Sequence, residues 1–221
     1  MNNRVVVKTN DGSDSLYVTE IDEHYHSIHG ARSESEHIFL QHGLAFIDLP
    51  EITVLEIGFG TGLNCLLSYK YAQDNNKIIN YHTIEKYPLT CEEWGTLNYN
   101  TLLGDEYSAF YKQIHTSLWN ISILLEPNFK LQKYNADVAE VTLPEAYFDV
   151  VFFDAFSPEK QPELWTASIF HSMYKAMKVG GVLTTYCSKG IVRRAMKEAG
   201  FTVNRTPGPP GKREMVVSRK V

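Results

Sequence analysis

The stretch 54–64, VLEIGFGTGLN, limits what this chain can fold into more than any other. Val54, Leu55 and Ile57 read as a buried strand. Gly58, Gly60 and Gly62 follow at alternate positions, and the apolar run Leu63, Cys65, Leu66 and Leu67 then suits a helix. Glycines so spaced let the backbone turn sharply, and they remove the Cβ atoms that would block a ligand's close approach. A helix starting near Gly62 aims its unpaired N–H groups at the same place. A dinucleotide fingerprint requires G-x-G-x-x-G, and Leu63 stands where the third glycine would fall, so that reading fails. A small-molecule cradle and a tight strand–helix turn that holds nothing both remain open on this stretch alone.

From residue 52 onward the pattern alternates strand and helix. Strands are expected at 52–57, 78–85, 148–153, 182–186, 201–204 and 214–218. Helices are expected at 62–73, from Pro88 to about Tyr99, at 105–118, at 162–178 with a stop at Gly180-Gly181, and at 191–199 with a stop at Gly200. Two β-like runs, 121–125 and 130–134, flank Glu126-Pro127-Asn128 and read as a hairpin. Residues 4–8 and 15–18 read as another hairpin about Asn10-Asp11-Gly12-Ser13. The segment SESEHIFLQHGL after it is expected to be a helix capped by Ser33 or Ser35. The expected architecture is therefore α/β and Rossmann-like: residues 51–221 form a mostly parallel sheet with helices on both faces, and residues 1–50 form a small extension packed on it.

Ligands of such sheets bind beyond the carboxyl ends of the strands. Glu56, Glu85, Asp137 and Asp154 all fall at or just after expected strand ends, so all four can border one crevice. Glu56 also completes E-x-G-x-G-x-G, the pattern typical of S-adenosyl-L-methionine-dependent methyltransferases. Glu85 lies about 23 residues beyond Gly62, where a carboxylate can accept both hydroxyls of a ribose; the plainer alternative is a surface acid capping a helix. Asp137 can accept from an adenine amino group or simply hold a turn. Asp154 leaves an apolar strand into Ala155-Phe156-Ser157-Pro158. Desolvation there raises its basicity unless hydrogen bonds hold it, and the stiff apolar loop suits a planar base. A structural Asp that fixes the loop is the alternative.

The formal net charge of −5 argues against indiscriminate nucleic-acid binding. Yet residues 189–221 hold nine of the 21 Lys/Arg and only two of the 26 acidic residues. Arg193-Arg194 and Lys212-Arg213 in that segment can clamp phosphates, or serve solubility alone. Cys65, Cys91 and Cys187 are few, odd in number and widely spaced, and mostly sit within apolar patterns, which reads as reduced core thiols in a cytoplasmic protein rather than a disulfide or zinc framework. His24, His26 and His29 crowd together without a nearby cysteine or a fixed acidic partner, so a surface or substrate-facing role is expected and no metal. No apolar run approaches the roughly 20 residues that span a bilayer, so no membrane partner is expected.

Several longer stretches carry a family resemblance. DGSDSLYVTEIDEHYHS, LEIGFGTGLN, IEKYPL, FFDAFSPEKQPELWT and TYCSKGIVRRAMKEAGF with GPPGKREM, spread over almost the whole chain, resemble the tRNA 5-methylaminomethyl-2-thiouridine methyltransferase family: the MnmC methyltransferase domain and its stand-alone MnmD-like relatives. The resemblance implies a class I methyltransferase fold with a seven-stranded sheet, an N-terminal β extension and a β-hairpin insertion. It implies N-methylation of the 5-aminomethyl group of the wobble 2-thiouridine of tRNA, with S-adenosyl-L-methionine as cofactor. Carried onto this chain, Glu56, Gly58, Phe59, Gly60, Gly62, Asn64, Glu85, Lys86 and Asp137 would hold the cofactor, with Asp154 beside it facing the amine. Tyr17, Phe156, Pro158, Lys160, Arg193, Lys212 and Arg213 would face the substrate. The chain ends at Val221, which leaves no room for the flavin oxidase domain of the fused proteins, so the aminomethyl substrate is expected to arrive by another route. Two other readings keep the fold: methyl or aminopropyl transfer to a small-molecule amine, and a catalytically silent S-adenosyl-L-methionine-binding protein. The intact Asp154 beside an intact glycine loop opposes the second.

Overall fold

A computed structural model describes residues 4–221; residues 1–3 of the expected extension lie outside the described residues. Strands β1 (Arg4–Lys8), β2 (Asp14–Val18) and β3 (Glu23–His24) form an antiparallel sheet in that order, which adds one short strand to the expected hairpin. Helix α1 (Ala31–Ser35) begins two residues before Ser33, with Gly30 at its N-cap, so neither expected serine caps it. Asp11 does so from outside. Its Oδ2 accepts the Ser33 N–H at 2.9 Å and the Ser33 hydroxyl at 2.8 Å, satisfying a first-turn donor that has no intrahelical partner. The helix then runs straight into a π-helical turn (Glu36–Gln41) that buries Ile38, Phe39 and Leu40.

The main sheet is built from β4 (Glu51–Ile57), β5 (Ile78–Glu85), β6 (Ser122–Glu126), β7 (Phe129–Asn135), β8 (Phe148–Phe153), β9 (Met177–Thr185), β10 (Thr202–Pro207) and β11 (Glu214–Arg219). Its order is β10-β11-β9-β8-β4-β5-β7-β6. The pairs among β4, β5, β7, β8 and β9 are parallel, while β6, β10 and β11 pair antiparallel. The expected seven strands are present. An eighth, β6, joins because the first arm of the hairpin pairs with β7 and lengthens the sheet at that edge. Chain order reverses about β4, whose neighbours are β5 and β8, so the switch point of the sheet lies where the glycine loop begins.

Six of the seven residues of β4 and all six of β8 are buried, as central parallel strands covered on both faces must be. Asp149 is tolerated inside β8 because Oδ2 accepts the Thr53 N–H at 2.8 Å and Oδ1 meets Lys178 Nζ at 2.8 Å. Helix α2 (Leu63–Asp74) follows the glycine loop, with Leu63 to Ser68 wholly buried. The extension shares this core: the Phe39 ring meets Phe152 of β8 at 5.1 Å between centroids.

The remaining helices depart from expectation at their ends. The stretch from Pro88 is broken into α3 (Cys91–Trp94) and α4 (Tyr99–Leu103). Gly95 closes α3, and Asn98 is taken up by the extension, its side chain accepting from Asp14 N at 2.8 Å and donating to the Gly12 carbonyl at 2.9 Å. Helix α5 is shorter than expected (Ser108–Thr116). Its last carbonyls receive the ammonium of Lys133, fully buried on β7, at 2.7 Å from Ile114 O and 3.1 Å from His115 O. Pro162 opens only a single 3₁₀ turn, and helix α6 (Ala167–Ala176) starts afresh at the Thr166 N-cap. Gly180-Gly181 does not stop that helix. It lies within β9, where the pairing with β8 slips between Phe148 and Val150. Helix α7 (Gly190–Glu198) and β10–β11 complete the chain as expected. Among the described residues no helix is long and apolar enough to cross a membrane. Of the three free cysteines, Cys65 and Cys187 are buried, but Cys91 at the start of α3 is exposed, contrary to the reading of core thiols.

Candidate active site

A cavity of about 640 Å³ opens beyond the carboxyl ends of β4, β5, β7 and β8, within the range of nucleotide-sized sites. Its walls are the glycine loop, Glu85-Lys86-Tyr87, Ala136-Asp137-Val138 and the loop 154–157; the facing wall is residues 23–29 with Glu34 from the extension, and Lys212. The glycine loop is compressed from both sides. A Cβ on Gly58 (φ 93°) would lie 2.6 Å from the carbonyl oxygen of Asp154, and one on Gly60 (φ 49°) 3.0 Å from the Tyr25 ring. Tyr25 also meets Phe156 edge-on at 5.0 Å, so the extension and the loop after β8 close over the glycines together.

Asp154 is fixed by its backbone and its side chain alike. Its N–H donates to Ile57 O at 3.0 Å, and Oδ2 accepts from Asn64 Nδ2 at 2.8 Å. Burial carries its carboxyl up to about 7, and the charge of Glu34 adds to the rise; the Asn64 hydrogen bond and the charge of Lys212 oppose it. A carboxyl so placed exchanges a proton near neutral pH, which suits an acceptor for an amine proton. The loop that carries it is rigid. Phe156 N donates to Gln161 Oε1 at 3.1 Å, Trp165 Nε1 donates to Phe156 O at 2.8 Å, and the Ser157 hydroxyl donates to Glu23 Oε2 at 2.6 Å.

Glu85 is held by two backbone N–H groups, Gly60 N at 3.0 Å on Oε2 and Tyr87 N at 2.7 Å on Oε1. Each oxygen keeps a further lone pair for a ligand hydroxyl. Lys86 Nζ meets Asp137 Oδ2 at 2.9 Å, and this contact holds the Asp137 carboxyl below its ordinary range. Thr61 Oγ1 and Asn64 Oδ1 are buried polar atoms without a protein partner, on residues that line the cavity.

Of the expected cofactor residues, Gly58, Phe59, Gly60, Asn64, Glu85, Lys86 and Asp137 line the cavity together with Asp154. Glu56 and Gly62 do not. Glu56 is fully buried beneath the floor, where Oε2 accepts the Thr83 hydroxyl at 2.8 Å and burial raises its carboxyl well above the usual range. Gly62 is the N-cap of α2, in the left-handed region. Of the expected substrate residues, Phe156, Lys160 and Lys212 line the cavity, whereas Tyr17, Pro158, Arg193 and Arg213 lie outside it. The Tyr17 hydroxyl donates to Asp22 at 2.8 Å, and Arg193 Nε donates to Ser188 O at 3.1 Å. Lys212 is no free phosphate clamp, because its ammonium is paired with Glu34 and lies 4.3 Å above the Tyr186 ring. The expected residues missed Glu23, Tyr25 and Glu34. His24, His26 and His29 all line the cavity, and among the described residues no group of three or more His, Cys, Asp or Glu is arranged for a metal ion.

A family model described as S-adenosyl-L-methionine-dependent methyltransferase matches residues 104–221. The chain is 30% identical to the tRNA 5-methylaminomethyl-2-thiouridine biosynthesis bifunctional protein MnmC of Cupriavidus metallidurans, over 96% of this chain and 33% of that protein. It is 31% identical to the protein of the same name from Nitrosospira multiformis, over 91% of this chain and 34% of that one. The chain thus spans about a third of the length of these curated relatives. Its fold is similar to that of MNMC2 from Aquifex aeolicus, with a TM-score of 0.81 at 24% identity, covering 99% of this chain and 70% of that one. Spermidine synthase from Thermotoga maritima shares the fold more distantly, with a TM-score of 0.59 at 16% identity over 99% of this chain and 73% of that one.

Proposed function

This chain belongs to the S-adenosyl-L-methionine-dependent methyltransferases, and from that premise we propose that it methylates the nitrogen of the 5-aminomethyl group on the wobble 2-thiouridine of tRNA, forming 5-methylaminomethyl-2-thiouridine. The observation that carries this reading is Asp154: a carboxyl with proton affinity near neutrality, held at the rim of a glycine-walled cavity by Asn64. The similarity to proteins named for 5-methylaminomethyl-2-thiouridine biosynthesis supports the choice of amine.

The residues present fit the cofactor. Gly58 and Gly60, at φ 93° and 49°, keep that wall of the cavity free of side chains, so the backbone there can approach the methionine end of the cofactor. Glu85, its orientation fixed by two N–H groups, would accept the ribose hydroxyls. Asp137, kept ionised by Lys86, would accept from the adenine amino group. Glu56 acts from beneath the floor through Thr83 and β4 rather than by touching the ligand. When bound, S-adenosyl-L-methionine supplies a methyl group on a cationic sulfur that departs as a neutral thioether, so the transfer asks the protein chiefly for alignment.

The amine arrives as an ammonium ion and cannot attack until it loses a proton. Asp154 accepts that proton, which frees the nitrogen lone pair, and afterwards releases it to solvent at the cavity mouth. Phe156 presents an apolar ring against which the uracil plane would rest, and Lys160 stands at the rim for a phosphate. Arg193 and Arg213, outside the cavity, are left to hold more distant phosphates.

The test is methyl transfer from labelled S-adenosyl-L-methionine to tRNA from cells lacking this gene, with mass analysis of the nucleosides. New 5-methylaminomethyl uridine is the expected product, and its absence overturns the reading. Replacing both Arg193 and Arg213 by Ala should slow methylation of tRNA. It should also remove roughly tenfold of the loss seen between about 50 and 200 mM salt, as two phosphate contacts would. A small-molecule amine as substrate is favoured by one observation, the ion-paired state of Lys212, which leaves fewer free cations at the cavity. That reading requires turnover without tRNA and no effect of the two arginines. With tRNA as substrate, the place of action is the cytoplasm.

A further inference from the structure

Glu34 has no place in the cofactor cradle, yet it is one of the most enclosed acids in the chain, 6% exposed, and it lines the cavity from helix α1. Its Oε2 accepts the Ser27 N–H at 2.8 Å, and its Oε1 meets the ammonium of Lys212. The two partners are 178 positions apart in sequence, so the first helix of the extension and the loop before β11 converge on the cavity that holds Asp154. An enclosed ion pair is weak as a source of stability, because two charges must leave water to form it. Its position invites another role.

The other groups about Asp154 are Asn64, which donates to it, Glu56 and Tyr81 beneath it, and Tyr186 beside it under the Lys212 ammonium. His26 stands behind Glu34, and burial lowers it to about 4, so it carries no charge near neutral pH. Glu23, Glu85, Lys86, Asp137, Lys160 and Glu163 also line the cavity, but Glu34 and Lys212 are the two whose charges act on the Asp154 carboxyl. We propose that the Glu34–Lys212 pair is a positioning element of the transfer, one charge of each sign held in the wall of the cavity that Asp154 also lines, to set how tightly that carboxyl holds a proton. The inference rests on the reading of Asp154 as the acceptor of the amine proton.

The two halves act in opposite directions. Without Glu34, the bare cation of Lys212 draws Asp154 toward a less basic carboxylate that takes a proton from an ammonium ion less readily. Without Lys212, the charge of Glu34 acts unopposed, and Asp154 holds its proton more tightly, so less of it is free to accept another. In the intact pair the two charges oppose each other at Asp154, Glu34 raising its carboxyl and Lys212 lowering it.

The test reads Asp154 directly in the full chain, with no substrate present. Aspartate labelled with ¹³C at the carboxyl gives a resonance for Asp154, assigned by its loss in Asp154→Asn, whose titration midpoint is followed with pH. Glu34→Gln should lower that midpoint by about one pH unit and Lys212→Met should raise it by about as much. The double variant should fall between them. A folded variant whose midpoint stays put, or two that move the same way, overturns the proposal; if one variant does not fold, the other decides alone. With tRNA and S-adenosyl-L-methionine the acid limb of the transfer rate should move in the same directions. Midpoints that move while tRNA goes unmethylated leave the pair standing and sink the tRNA reading; methylation with unmoved midpoints does the reverse.

Discussion

Asp154→Asn should slow methyl transfer by roughly 10²- to 10⁴-fold, the span usual for loss of a general base, while calorimetry finds S-adenosyl-L-methionine binding retained. Asn keeps an oxygen for the 2.8 Å bond from Asn64 Nδ2 and changes neither the backbone bond to Ile57 nor the loop beyond. The loss would therefore report the proton rather than the geometry. Lost cofactor binding would instead place Asp154 in the cradle. The same variant has a second signature in stability. The carboxyl is carried from 3.8 to about 7 on folding, so between these values the folded protein holds a proton that the unfolded chain has released. Stability thus falls as pH rises through that window, and the penalty is complete above pH 7. Asn carries no such penalty. The variant should match the parent near pH 3 and exceed it by up to about 4 kcal/mol at pH 8, read from denaturant midpoints across the range. A variant no more stable at pH 8 than at pH 3, relative to the parent, would show that Asp154 ionises without strain.

Local pattern foretold the parts of the site whose positions follow from strand ends. Strand β8 runs over the expected 148–153 because a near-continuous apolar run has one stable use in a covered parallel sheet, and β5 over the expected 78–85 because Ile79, Tyr81 and Thr83 alternate onto its buried side. The last residue of β5, Glu85, and the first residue after β8, Asp154, then reach one crevice. What local pattern could not show are contacts between distant segments. Glu34 sits in Ser33-Glu34-Ser35-Glu36, which reads as a solvated helix face, and nothing nearby announces a lysine 178 positions away. Lys212 misled for the same reason, since Lys-Arg after a Pro/Gly loop looks like a free basic patch until Glu34 neutralises it. Lys133 was legible in principle. The two-residue period of a strand puts it on one face with Phe129 and Leu131, both buried, so its burial follows from the pattern. Only its partners, the last carbonyls of α5, were beyond reach. Asn98 and Gly95 make the same point for the helix expected over 88–99, because bonds to Asp14 and Gly12 compete with helix continuation and win.

Gly58→Ala should cost about 3 kcal/mol of stability, or roughly 6–12 °C in Tm for a chain of this length. Two independent penalties combine at this position. The residue has φ 93°, where an L side chain is strained, and an added Cβ would lie 2.6 Å from the carbonyl oxygen of Asp154. That neighbour is backbone and cannot swing aside. The Gly58 N–H is itself committed to Ile84 O at 2.9 Å, and the Asp154 N–H to Ile57 O at 3.0 Å, so relief requires parting β4 from β8 at the rim of the cavity. Gly180 separates the two penalties. It has φ 84° with nothing within 4 Å of the added Cβ, so Gly180→Ala should cost only the strain, about 1 kcal/mol. Equal losses at the two glycines would mean that backbone strain alone fixes Gly58. A larger loss at Gly58, with S-adenosyl-L-methionine affinity falling at that site and unchanged at Gly180, would show that the glycine loop and the Asp154 loop are held against each other. The alternating glycines then have two duties, since one that clears space for a ligand also lets the strand bearing the acid close against the strand bearing the cradle.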